Sequence, residues 1–96
     1  MVNVRVEVKK IIDDSYYPEI VECVLIDCKG IKHYFREKAP VVFSDDCYSL
    51  PCGGIIRCEI IQEKSGTCVI DTSLPDGVES LNGEFVFEVY KNQIDR

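Results

Sequence analysis

The segment Ile20-Val21-Glu22-Cys23-Val24-Leu25-Ile26 constrains this chain more than any other. Its apolar side chains fall at odd and even positions alike, so as a β-strand it needs cover on both faces. It sits in the stretch Pro18 to Arg36, which reads as two strands joined by a tight turn at Asp27 to Gly30. Ile, Val, Tyr and Phe suit a pleated surface, and Gly30 can take the positive φ that closes a short hairpin loop. Two registers are open. A three-residue loop, Cys28 to Gly30, sets Asp27 opposite Ile31, Leu25 opposite His33 and Cys23 opposite Phe35. A two-residue loop, Lys29-Gly30, sets Ile26 opposite His33 and Val24 opposite Phe35. A one-residue slip exchanges faces, and this strand tolerates either choice. In both, Ile31, His33 and Phe35 share one face, which is expected to be the inner one.

The rest of the chain supplies cover. Val2, Val4, Val6 and Val8 alternate with Asn3, Arg5, Glu7 and Lys9, predicting a strand over Val2 to Ile12 with one wet face. Val41-Val42-Phe43 reads as a short strand, and Ser44 to Gly54 as a surface loop rich in turn formers. A second hairpin is expected over Ile55 to Gln62 and Thr67 to Thr72, around Lys64-Ser65-Gly66. It pairs Glu63 with Thr67 and Ile60 with Ile70, and gathers Ile56, Cys58, Ile60, Cys68 and Ile70 on one face. Asn82-Gly83 predicts a two-residue hairpin turn between Val78-Leu81 and Glu84-Phe87. Val78, Phe85, Phe87 and Val89 then line one face. Seven or eight short strands without a helical period predict an all-β fold, a small antiparallel barrel or sandwich of Greek-key style, with residues 1–96 as one domain. The pattern resembles small Greek-key barrels, including the barrel domains of translation factors, and no motif in it carries a function over.

Charge and cysteine usage narrow the function classes. The 11 basic against 17 acidic residues give a net charge of −6. Lysines are interleaved with acids, so there is no basic patch for nucleic acid. No segment approaches the roughly 20 apolar residues that span a bilayer, and the alternating N-terminus is unlike a secretory signal. Six cysteines without such a signal predict reduced thiols and a cytoplasmic protein. The alternative is a disulfide framework, for which only Cys47 and Cys52 lie close enough across a loop to be watched. As a zinc site those two would need Cys28 or His33, with the loop folded across the first hairpin; no metal or cofactor is predicted. Gly53-Gly54 lacks the Lys-Ser/Thr of a phosphate loop. Asp13-Asp14 and Asp45-Asp46 lack the further oxygen ligands of a calcium loop.

His33, the single histidine, has no nucleophile in a recognisable motif beside it. It is expected to be a half-buried strand residue. Two functional readings follow. The first is a non-enzymatic interaction module that binds another protein, or a second copy, through an acidic surface bearing Tyr16, Tyr17 and Tyr48. The second is a ligand-binding or enzymatic barrel with its site beneath the Ser44–Gly54 loop, at Asp45, Asp46, Cys47 and Cys52. The first is preferred because no catalytic constellation can be assembled.

Overall fold

A computed structural model describes residues 1–43 and 49–96. Its strands are β1 (Val2–Asp13), β2 (Ile20–Ile26), β3 (Lys32–Lys38), β4 (Cys52–Glu63), β5 (Thr67–Asp71), β6 (Val86–Tyr90) and β7 (Ile94–Asp95), with an α-helical turn, α1 (Ala39–Val42), after β3 and a 3-10 turn over Lys91–Gln93 before β7. The sheet is antiparallel, in the order β3-β2-β1-β4-β5-β6, with β7 also on β1. Three hairpin-linked strands followed by a fourth that returns beside the first is the Greek-key order. The sheet curls into a half-barrel, so the expected all-β architecture is present.

β1 holds the fold together. Val2 to Val8 pair with β4, while Glu7 to Asp13 pair with β2. β7 takes the place beside Asn3 and Val4 that β2 leaves open. The ladder with β2 shifts register between Val8 and Lys10 and again between Ile11 and Asp13. Each extra residue bends a strand and increases its twist, and β4 has a similar shift between Ile60 and Gln62. These bulges curl the two longest strands. The predicted valines Val4, Val6 and Val8 all point into the core. There they meet Val21, Cys23, Leu25, Phe35, Ile56, Cys58, Cys68, Ile70, Val78, Phe87 and Val89.

The first hairpin takes the three-residue register, with Leu25 opposite His33 and Cys23 opposite Phe35. Its predicted inner face grades outward along β3: Phe35 is buried, His33 is half-buried, and Ile31, in the turn, is 53% exposed. The outer side chains of β2 behave differently from one another. Val24 is buried beneath its neighbours, whereas Ile26 remains open. In the second hairpin Ile60 pairs with Ile70 as expected, but the bulge at Ile61 moves Glu63 from Thr67 to Cys68.

Three local readings need correction. Val41-Val42-Phe43 is not a strand, because Ala39 to Val42 form α1. Pro40 fits a first helical turn, where a missing N–H costs nothing, and Ala39 and Val42 bury one side of it. The 78–81 segment makes no ladder with Glu84–Phe87. Leu81, Asn82 and Gly83 form a three-residue turn instead, with Gly83 N–H donating to Ser80 O and Ser80 N–H to Glu84 O. The expected Ser44–Gly54 loop ends earlier than its turn formers imply, since Cys52, Gly53 and Gly54 already belong to β4 opposite Val8, Glu7 and Val6.

Gly54 explains that last difference. A Cβ there would lie 2.5 Å from Val42 O and 2.7 Å from Val8 Cγ2. The missing side chain lets α1 settle onto β1 and β4, and Phe43 bridges to Gly54. Gly54→Ala must therefore displace backbone, and overpacking of this kind costs about 1–3 kcal/mol. Urea unfolding should show that loss, while Gly53→Ala, where a Cβ meets nothing within 4 Å, should show much less.

Candidate functional site

The richest chemistry lies at the turn between β2 and β3. Asp27 N–H donates to Ile31 O and Gly30 N–H to Asp27 O, with Gly30 at φ +80°. The Asp27 carboxylate completes the turn: Oδ1 accepts the backbone N–H groups of Lys29 and Ile31, at 2.9 and 3.0 Å. Its other oxygen, Oδ2, lies 2.8 Å from His33 Nε2. A carboxylate can only accept, so Nε2 is the donor in this contact. No other partner of the ring occurs among the described residues, and Nδ1 is not sealed from solvent. The ring stands edge-on to Phe87, centroids 4.8 Å apart, and Phe87 in turn meets Phe35 at 5.6 Å.

His33 is thus half-buried, as expected, but its carboxylate partner was not foreseen. The signal was present in the three-residue register. Asp27 opposite Ile31 makes Asp27 and His33 diagonal neighbours on one face, within reach of long side chains. Burial works to raise the Asp27 pKa. The hydrogen bonds from His33, Ile31 and Lys29 outweigh it and hold the carboxyl below its ordinary 3.8. A cleft of about 410 Å³ opens beside this pair, between the turn and β6, with Lys29, Lys32, Asn82, Glu84 and Val86 among its walls.

The sequence-predicted sites fare unequally. Tyr16 and Tyr17 are 83% and 89% exposed. Tyr48, Asp45, Asp46 and Cys47 lie outside the described residues. Cys52, placed in the loop by sequence, is the first residue of β4 and is disulfide-bonded. That corrects the expectation of six free thiols, and a bonded sulfur is neither a nucleophile nor a thiolate ligand. Cys23, Cys28, Cys58 and Cys68 are free. No cluster of three or more metal-ligating side chains occurs among the described residues, and no helix among them is long and apolar enough to cross a membrane.

Comparison with protein-family models, with curated proteins and with solved structures finds no match.

Two measurements follow. Burial, with Glu37 and Glu22 nearby, pushes the Cys23 thiol up to about 12. Burial, with Cys68 and Glu59 nearby, pushes Cys58 up to about 11, and burial raises Cys68 as well. Because the thiolate is the nucleophile, native alkylation should label Cys28 first and these three only on unfolding. Rapid native labelling of Cys23 would contradict the packing. The second measurement concerns Asp27. Its folded pKa lies below the unfolded value, so its contribution to stability is fully present above the ordinary 3.8 and is lost as pH falls through the folded pKa. Asp27→Asn keeps the Oδ1 acceptor but removes the charge. The stability gap between wild type and Asp27→Asn should be widest above about pH 4 and close in stronger acid. A gap that stays constant down to about pH 2 would deny the carboxylate this role.

Proposed function

We propose that the protein is a small non-enzymatic interaction module that binds another protein through the loop between β1 and β2. The observation that carries this reading is the exposure of Tyr16 and Tyr17 side by side at 83% and 89%. Tyrosine offers large apolar area with a polar tip and is enriched at interfaces. Few buried groups hold these rings, so their presence there has no account in packing. The loop is anchored where Asp13 Oδ1 accepts the Ser15 N–H and where Asp13 pairs with Ile20. The Ser15 backbone N–H, and then its side chain, keep the Asp13 carboxyl low, so it stays charged near neutrality.

Charge supports a basic partner. Asp13, Asp14 and Glu19 flank the tyrosines, and Ile11 adds a 47% exposed apolar neighbour in sequence. The lysines at this end of β1 are matched within the protein, Lys9 by Glu7 and Lys10 by Glu22. The loop therefore presents uncompensated negative charge, which steers encounter with a positive surface more than it adds affinity.

Tyr17→Ala tests the reading. The thermal midpoint should stay nearly unchanged, while association with a basic protein partner, or with a second copy in sedimentation, weakens and becomes less salt-sensitive on adding Asp14→Asn. A residue that packs in the core would behave oppositely, since truncating a buried aromatic costs about 3–5 kcal/mol. A large fall in stability together with unchanged association would overturn the proposal.

A further inference from the structure

The outer face of β1, β2 and β3 carries a shallow groove of about 300 Å³. Cross-strand pairing sets its rows. Tyr34, Val24 and Glu7 stand in one row, and Arg36, Glu22 and Lys10 in the next. Lys32 and Ile26 form the row on the other side, towards Arg5. The floor is apolar: Val24 is only 4% exposed although it lies on the outside, and Ile26 is 46% exposed. At one end Gln93 Nε2 donates to Ile26 O at 2.9 Å.

This face is positive in a negative protein. Arg5 pairs with Asp95, Lys9 with Glu7 and Lys10 with Glu22. Lys32 and Arg36 join no ion pair among the described residues. Five basic side chains against three acidic ones leave an excess of two positive charges. In sequence these lysines and arginines are interleaved with acids, and only the sheet gathers them. The far end of the same β1–β2 hairpin has the opposite balance. Asp13, Asp14 and Glu19 surround Tyr16 and Tyr17, and Lys38, opposite Ile20, offsets one of the three acids. That leaves an excess of two negative charges beside two exposed rings.

We propose that the partner of the tyrosine loop is a second copy of this chain, whose outer groove receives Tyr16 and Tyr17 while Asp14 meets Lys32. The proposal rests on the interaction reading above and gives that loop its occupant. Charge and surface both match: rings with polar tips fit an apolar floor rimmed by cations, and acids meet unpaired cations. The loop cannot reach the groove of its own chain. Asp13 is held opposite Ile20, and the eight residues of strand from Arg5 to Asp13 span roughly 26 Å. The contact is heterologous, one patch against a different one. Each tyrosine buries about 150–250 Å² at most, so with the groove's share the contact covers roughly 600–1,000 Å² in total, less than the ~1,200 Å² of stable complexes. Association is therefore weak, steered by charge and sensitive to salt.

Charge exchange, read by sedimentation equilibrium at high protein concentration and low salt, tests this. Wild type should self-associate. Asp14→Lys and Lys32→Glu should each lower the association constant at least about tenfold, because each sets like charges together. An equimolar mixture of the two variants should recover about that tenfold, since each keeps the half the other has lost. General charge repulsion predicts otherwise: Asp14→Lys brings the net charge from −6 to −4 (−6 + 2) and would then associate more tightly. Both positions are exposed; if Lys32→Glu misfolds, Arg36→Glu takes its place. A monomer at every concentration, tighter association of Asp14→Lys, or a mixture no better than its components would overturn the proposal. Titration of the ¹⁵N-labelled protein with acetyl-Lys-Leu-Lys-Leu-amide separates this from the reading beneath it. Shifts at the Tyr16 and Tyr17 amides of a protein that stays monomeric would remove the second copy and leave the loop a binding surface. No shifts and no self-association would remove both.

Discussion

The fold depends on one strand having three partners. β1 gives half its length to β4 and half to β2, and fills the leftover edge with β7. Its valines are the centre of the core. Full burial of such a side chain contributes about 1.5–3 kcal/mol relative to exposure, so Val4, Val6 and Val8 together outweigh any polar interaction described above. The two register shifts against β2 make the strand bend as it passes from one partner to the other. A straight β1 would hold the two halves of the sheet in one plane, and β3 and β6 would never meet. The curl, which turns the edges of β3 and β6 toward each other across a seam, follows from those two extra residues and from the one at Ile61 in β4.

What closes the seam is a pair of like turns rather than a ladder. Asp27 to Ile31 and Ser80 to Glu84 share a backbone pattern: a glycine fourth, at φ +80° in both, and a side-chain oxygen on the first residue that accepts the N–H of the fifth. One turn reaches across to β6 and the other to β3. Thr72 secures the second from below. Its buried hydroxyl donates to Val78 O at 2.6 Å, its N–H donates to Phe85 O, and its carbonyl accepts the Val78 N–H. The aromatic series His33, Phe87 and Phe35 then spans the seam on the inner side.

The sequence was legible where burial sets a period. Val2 to Val8 and the face of Ile56, Cys58, Ile60, Cys68 and Ile70 were readable because one side of each strand must be apolar. The first hairpin was ambiguous for the same reason: with apolar residues on both faces of β2, period two cannot choose a register, and the Asp27 side chain chose it by bonding Lys29 and Ile31. Val41-Val42-Phe43 misled because three apolar residues cannot distinguish a strand from one helical turn, and Gly54 admits the turn through a contact far away in sequence. Asn82-Gly83 named a turn correctly and its length wrongly, since Ser80 is claimed by Phe35 as well as by Glu84. The Asp27–His33 pair followed from the register, and was invisible until the register was fixed. Tyr16 and Tyr17 could be singled out because no alternation gives them a face to bury.

An open edge in a β-protein is a hazard, because its unpaired groups can recruit another copy of the same edge. The seam handles this with charge. A two-fold pairing of the β3 edge centred on Lys32 would bring that lysine against its own copy in a desolvated strip. Short β6 offers little length for pairing in any case, and the bond from Cys28 to Glu88 interrupts it.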